Sequence, residues 1–216
     1  GNRQPRGDEL IPPSTPLLAH DPYFSIWSPA DKLTDTPTTH WTGRPQPISS
    51  LIRIDGKAYR LMGNLPRYAQ ALDQIRLDVY PTRTIYEFEG AVVDVTLTFT
   101  TPTLPEDLDV LSRPVTYLTW DVKSTDGKEH NVDLYFDAAA DLTINSTDQT
   151  VVWERRDVDG MNILRMGAEN QFPLSKKGDD IRIDWGYLYV GTDNSFFPSS
   201  TVAEGKAARA QFINNG

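Results

Sequence analysis

"AVVDVTLTFTT", residues 91–101, decides the fold. Val93, Val95, Leu97 and Phe99 fall on one side of an extended chain, and Asp94, Thr96, Thr98 and Thr100 fall on the other. Strict alternation of this kind marks a half-buried strand with one apolar and one wet face. Such strands belong to antiparallel sheets, because a parallel strand is buried on both faces. The pattern recurs along the chain. "TIYEFEG" (84–90) precedes it and is expected to pair with it across Glu89-Gly90. "SLIRIDGKAYRLMG" (50–63) places Ile52 and Ile54 before Asp55-Gly56, and Tyr59 and Leu61 after it. Asp-Gly supplies the positive φ angles of a two-residue hairpin turn.

Two further stretches repeat this design. "VTYLTWDVKSTDGKEHNVDLYFDAAA" (115–140) has alternating runs on either side of Asp126-Gly127. "TVVWERRDV" (150–158) and "MNILRMGA" (161–168) flank Asp159-Gly160. "IRIDWGYLYVG" (181–191) is aromatic and β-branched, and reads as a central strand. Only "STVAEGKAARAQFIN" (200–214) has helical character, with Ser200 or Thr201 as its expected N-cap. The expected fold is therefore all-β: a mostly antiparallel β-sandwich of the supersandwich kind, with little helix and a long proline-rich N-terminal loop. Residues 1–15 read as an extended N-terminal arm or the remnant of a trimmed start. Residues 16–216 read as the sandwich domain, with a loop and first hairpin over 16–63 and the remaining strands over 64–216.

Composition narrows the function. A chain of 216 residues can bury a real core, about 70% of its unfolded surface. It has no cysteine, which excludes disulfides, thiolate zinc sites and a cysteine nucleophile. Thirty acids against 21 Lys and Arg give a net charge of −9, which would repel a phosphate backbone, so no nucleic-acid partner is expected. No apolar run approaches the roughly 18 residues of a membrane span. Metalloprotease, nucleophile-elbow, phosphate-loop and dinucleotide motifs are absent. His20, His40 and His130 are the only histidines, so a three-histidine metal site would need all of them to converge. No metal, no cofactor and no catalytic residue is assigned.

Residues 19–47 break the alternation. A long loop rich in Tyr, Phe and Trp inside a compact domain points to packing or to binding. Its candidate substrate-binding residues are Trp27, His40, Trp41 and Arg44. Tryptophan faces stack on sugar rings or flat amides, arginine clamps carboxylates, and histidine moves protons near neutral pH. Trp27 and Trp41 could instead form a stacking platform in a carbohydrate-binding module. Asp133 and Asp137 share a strand face around Tyr135, and paired carboxylates are what glycoside hydrolysis requires. The same pattern is what a solvated strand face shows. His130 reads as a solvated hairpin residue.

The opening block also carries a family resemblance. Pro16 to Trp27 fits "P-L-x-x-x-x-P-Y-x-S-x-W", Trp41 to Gly43 gives "W-T-G", and Ile52 to Gly63 gives "I-R-I-D-G-x-x-Y-x-x-M-G". These resemble the start of the glutaminase A-like family. The resemblance implies a secreted or lipid-anchored protein of several hundred residues with glycosidase-like architecture. In such a protein an N-terminal β-sandwich precedes a catalytic helical toroid of the six-hairpin kind. It implies export, a partner in the C-terminal catalytic domain of the same polypeptide, and a small-molecule amide or sugar substrate. The chain shows no helical array of its own. By this resemblance it is a non-catalytic module, packing on that domain and lining its cleft.

Overall fold

The structure, a computed structural model, describes residues 13–102, 107–112, 114–196 and 199–215. The first twelve residues of the expected arm lie outside the described residues. The chain opens with three short strands, β1 (Thr15–Ala19), β2 (Ser25–Ser28) and β3 (Thr39–His40), paired antiparallel in that order. The segment expected as a loop over 19–47 is mostly loop, but it carries β2 and β3, which with β1 make a small meander. Its strands are too short, and too often interrupted by proline, to leave a periodic trace.

A hairpin of β4 (Ile48–Ile54) and β5 (Lys57–Met62) follows, turning at Asp55 and Gly56 with φ of 48° and 84°. A two-residue strand, β6 (Gln70–Ala71), runs parallel to β5. Then β7 (Asp73–Tyr80), β8 (Arg83–Gly90) and β9 (Val93–Thr100) form an antiparallel meander. The β8–β9 turn lies at Ala91-Val92, two residues beyond the expected Glu89-Gly90. Both turn residues hold positive φ, 48° and 63°, as a primed turn demands.

After a single helical turn, α1 (Leu108–Leu111), come β10 (Tyr117–Ser124) and β11 (Val132–Ala138). These two do not pair with each other, contrary to the hairpin expected at Asp126-Gly127. β10 pairs with β9, whereas β11 pairs with β4. The turn carries the chain from one layer of the sandwich to the other. The layers are β10-β9-β8-β7 and β11-β4-β5-β6. Ile52, Ile54 and Leu61 from one meet Tyr86, Phe88, Val95, Leu97 and Phe99 from the other in a single apolar core. Leu17 and Ile26 extend that core under the small meander. Full burial of each such side chain is worth about 1.5–3 kcal/mol.

A 3-10 turn (Ala140–Thr143) leads to a separate three-stranded sheet of β12 (Val151–Val158), β13 (Met161–Ala168) and β14 (Leu188–Asp193). β14 is an edge strand that starts only at Leu188, so "IRIDWGYLYVG" is not a central strand. Helix α2 (Gly205–Asn214) closes the described chain. Its N-cap is Glu204, whose carboxylate accepts the Ala207 N–H, rather than Ser200 or Thr201. Helix α2 covers the outer side of the β11-β4-β5-β6 sheet. Arg209 forks onto Asp137 at 2.7 and 2.9 Å. Arg53 takes Asp133 at 2.8 Å, donates to the Phe212 carbonyl at 2.6 Å, and stacks over the Phe212 ring at 4.9 Å.

Candidate functional site

The "HWTGR" stretch is a tight turn at the end of β3. His40 N–H donates to the Arg44 carbonyl at 2.8 Å, and Gly43 N–H donates to the His40 carbonyl at 2.9 Å. Gly43 sits at φ +88°, where a side chain would strain the turn. Thr38 anchors the turn from below: its hydroxyl donates to the Gln46 carbonyl and accepts the Ile48 N–H, at 2.8 and 2.9 Å. This geometry turns His40 inward and Trp41 and Arg44 outward.

His40 is fully buried, at 0% exposure. Its Nε2 lies 3.1 Å from the Pro22 carbonyl, which can only accept, so Nε2 carries the proton. Nδ1 then accepts the Thr42 N–H at 3.3 Å, with the Thr42 hydroxyl 2.9 Å away. Burial lowers the histidine's pKa, and the Arg182 guanidinium adds to the effect. His40 is therefore a neutral, fully engaged ring. Trp41 donates its indole N–H to the same Pro22 carbonyl at 2.7 Å. The indole leans against His40 at 5.7 Å between ring centroids, yet stays 54% exposed.

Arg44 is held by Asp180 at 2.9 Å. The same carboxylate receives Arg182 at 2.9 Å through its other oxygen. Hydrogen bonds from Thr42, Arg44 and Arg182 bring the Asp180 carboxyl down to about 2. Arg182 itself is buried and also donates to the Asn145 backbone carbonyl. Alongside, buried Asp184 takes Lys176 at 3.1 Å and Gln149 at 2.9 Å. Between these groups opens a shallow depression of about 520 Å³, lined by Arg44, Asn145, Lys176, Lys177 and Asp180. This arrangement can recognise a polar ligand carrying both charges. It offers an exposed indole face, a guanidinium and a lysine beside carboxylates.

His40, Trp41 and Arg44 share one turn. Trp27 pairs with Thr39 on the face of β2–β3 opposite the Ile26–His40 pair, and donates to Ser25 Oγ at 2.6 Å. Asp133 and Asp137 do share a face, but each carboxylate is held by an arginine that helps fasten helix α2. His130 sits at the surface but is not free: it bridges Asp55 at 2.6 Å and Asp126 at 3.0 Å.

Asp180, Arg182 and Asn145 were not legible as site residues. In "IRID" the polar residues Arg182 and Asp184 are buried while Ile181 and Ile183 stay half-exposed, the reverse of what residue type suggests, and the stretch is not a strand. Among the described residues, no group of three or more His, Asp or Glu could hold a metal ion. No described helix is long and apolar enough to cross a membrane.

Comparison with known proteins adds three findings. Residues 82–216 match the family described as Domain of unknown function (DUF5127), and residues 3–70 match the one described as Domain of unknown function (DUF4964). A curated protein named Glutaminase A, from Aspergillus oryzae, is 27% identical over 214 residues. The alignment covers 95% of this chain but 31% of that relative, so the chain spans about a third of its length. No solved structure matches.

Proposed function

The chain belongs to the family described as Domain of unknown function (DUF5127), and from that premise we propose that it is a non-catalytic β-sandwich module of a larger glutaminase A-like hydrolase. In this reading the module packs against a helical catalytic domain of the same polypeptide and lends the Trp41–Arg44 turn to one wall of its substrate cleft. Export from the cytoplasm, implied by the family resemblance, is part of the same proposal. The observation that carries it is the way the turn is built. Buried His40 and Arg182, with half-buried Thr42 and exposed Asp180, hold an indole and a guanidinium out at the surface, and the guanidinium lines an open polar depression. Solvent-facing tryptophan held this firmly is suited to a ligand or a partner surface. The non-catalytic part rests on the strand carboxylates. With Asp133 and Asp137 each paired to arginine, no free acid–base couple remains on that face.

In the full-length protein, Trp41→Ala and Arg44→Ala are each expected to raise KM about tenfold, the equivalent of about 1.4 kcal/mol. The substrates are glutamine, followed by ammonia release, and a panel of glycosides. The 216-residue chain alone should turn over neither. Unchanged kinetics in both variants, or turnover by the short chain, would sink the proposal.

A further inference from the structure

We infer that the outer face of the β12–β13–β14 sheet is the surface against which the rest of the same polypeptide docks. This rests on the module reading above and adds the place of contact. Pairing register separates the two faces of the sheet. Asn162, Leu164, Met166 and Ala168 point one way together with Leu188, which packs against the sandwich core. Asn162 and Ala168 are buried there and Leu164 and Met166 half-buried, so along β13 this face looks inward, although Trp153 on the edge strand β12 stays 56% exposed on the same side.

The opposite face carries Val152, Val158, Met161 and Tyr189, with Tyr187 lying over Gly167 on the same side. All five are exposed, Tyr187 at 40% and Tyr189 at 59%. A solvent face of an antiparallel sheet is ordinarily polar. A sheet apolar on both sides is a middle layer and needs a cover on each. Three strands with one face packed and the other bare are incompletely buried.

The bare face is built for a protein partner. Its central charges are matched: Glu154 takes Arg165 at 3.0 Å and Arg156 at 2.5 Å. Asp193, opposite Met161 at the end of the face, holds its carboxylate on Ser195, so docking over the centre would bury no unpaired charge. Tyr187 is fixed before any partner arrives. Its ring lies so close to Gly167 that a Cβ there would come within 2.5 Å of Cδ1, and the Arg165 guanidinium stacks on it at 4.3 Å. Rigid tyrosines beside arginine and methionine are the enriched side chains of interface centres, and holding them in place lowers the entropy lost on contact.

The occupant follows from length and charge. Glutaminase A aligns along nearly all of this chain but over only 31% of its own length, so most of such a polypeptide is available to cover the face. A tethered partner binds at high effective concentration, which suits a mosaic patch of modest size. Edge pairing with a second copy is opposed by Glu154, Arg155, Arg156 and Asp157 along β12, an open edge strand.

Hydroxyl-radical footprinting of the 216-residue chain and the full-length protein, at equal concentration, tests the inference by reading Met161, Tyr187, Tyr189 and Trp41 together. Tyr189 and Met161 are expected to lose at least tenfold in labelling rate in the full-length protein. If they label equally in both while Trp41 is protected, the docking face is wrong and the module reading stands. If none of the four is protected, both fall. Protection that appears in the short chain as its concentration rises assigns the face to self-association and overturns the inference.

Discussion

His130 joins two turns that are distant in sequence, and its chemistry sets a pH window. Its hydrogen bonds to Asp126 and Asp55 raise its pKa above the ordinary 6.5, and the same bonds bring Asp126 down to about 2 and lower Asp55. A histidine whose pKa is raised by folding stabilises the fold fully below 6.5, and loses that contribution as pH rises through the raised value. The aspartates contribute above 3.8 and lose their share as pH falls towards 2. His130→Ala should therefore cost most stability near pH 5 and progressively less above pH 7, as read from urea denaturation midpoints across that range. A cost that stays flat across that range would rule the bridge out. Gly63 makes a second prediction at this scale. It holds φ +85°, and a Cβ there would sit 2.8 Å from Ser49 Oγ. Gly63→Ala should cost about 2 kcal/mol in the same assay. Single residues were legible where a motif named them, as with Gly43, Trp41 and Arg44. Asp180 was not, because an acid in an irregular stretch carries no period. Its partner Arg44 lies 136 positions away.

Elements depart from expectation at their joints. Strand β8 reaches β9 through Ala91-Val92, where a β-branched residue occupies φ 63°. That backbone region favours Gly and Asn, so the turn is strained. Replacing Ala91-Val92 with Asn-Gly should stabilise the protein by about 1 kcal/mol, seen as a higher thermal midpoint. Helix α2 is held by side chains rather than by its own propensity, since ten residues make a marginal helix. Arg209→Ala would leave the mostly covered Asp137 carboxylate with Tyr135 as its remaining side-chain partner, at 2.8 Å. The expected cost is about 2 kcal/mol, with faster amide exchange across residues 205–214. Strands β8 and β9 were legible because each buries one face and keeps period two, whereas β7, with no buried residue, left no such trace. The small meander β1–β3 was not legible either, because its strands are only two to five residues long.

The whole molecule has two unequal parts. The sandwich shares a single core, whereas the β12–β14 sheet meets it mainly through Leu188 and the 3-10 turn. Opening of the smaller sheet should therefore cost less than global unfolding. In native-state hydrogen exchange, amides of β12–β14 should exchange at least tenfold faster than those of β4 and β9, and equal rates would show one cooperative unit. Sandwich architecture followed from alternation and turn spacing, but strand order did not. Period and turn chemistry are local, and nothing local in Asp126-Gly127 says whether the next strand returns to its neighbour or crosses to the other layer. That crossing has a consequence for how the chain reaches its native state. The β7–β10 meander can zip up from near neighbours, but β4 has its outer edge open until β11 arrives, with Arg53 and Asp133 separated by 80 positions. Closing so long a loop makes folding slow, and leaves an unpaired apolar strand exposed while a growing chain waits for its partner.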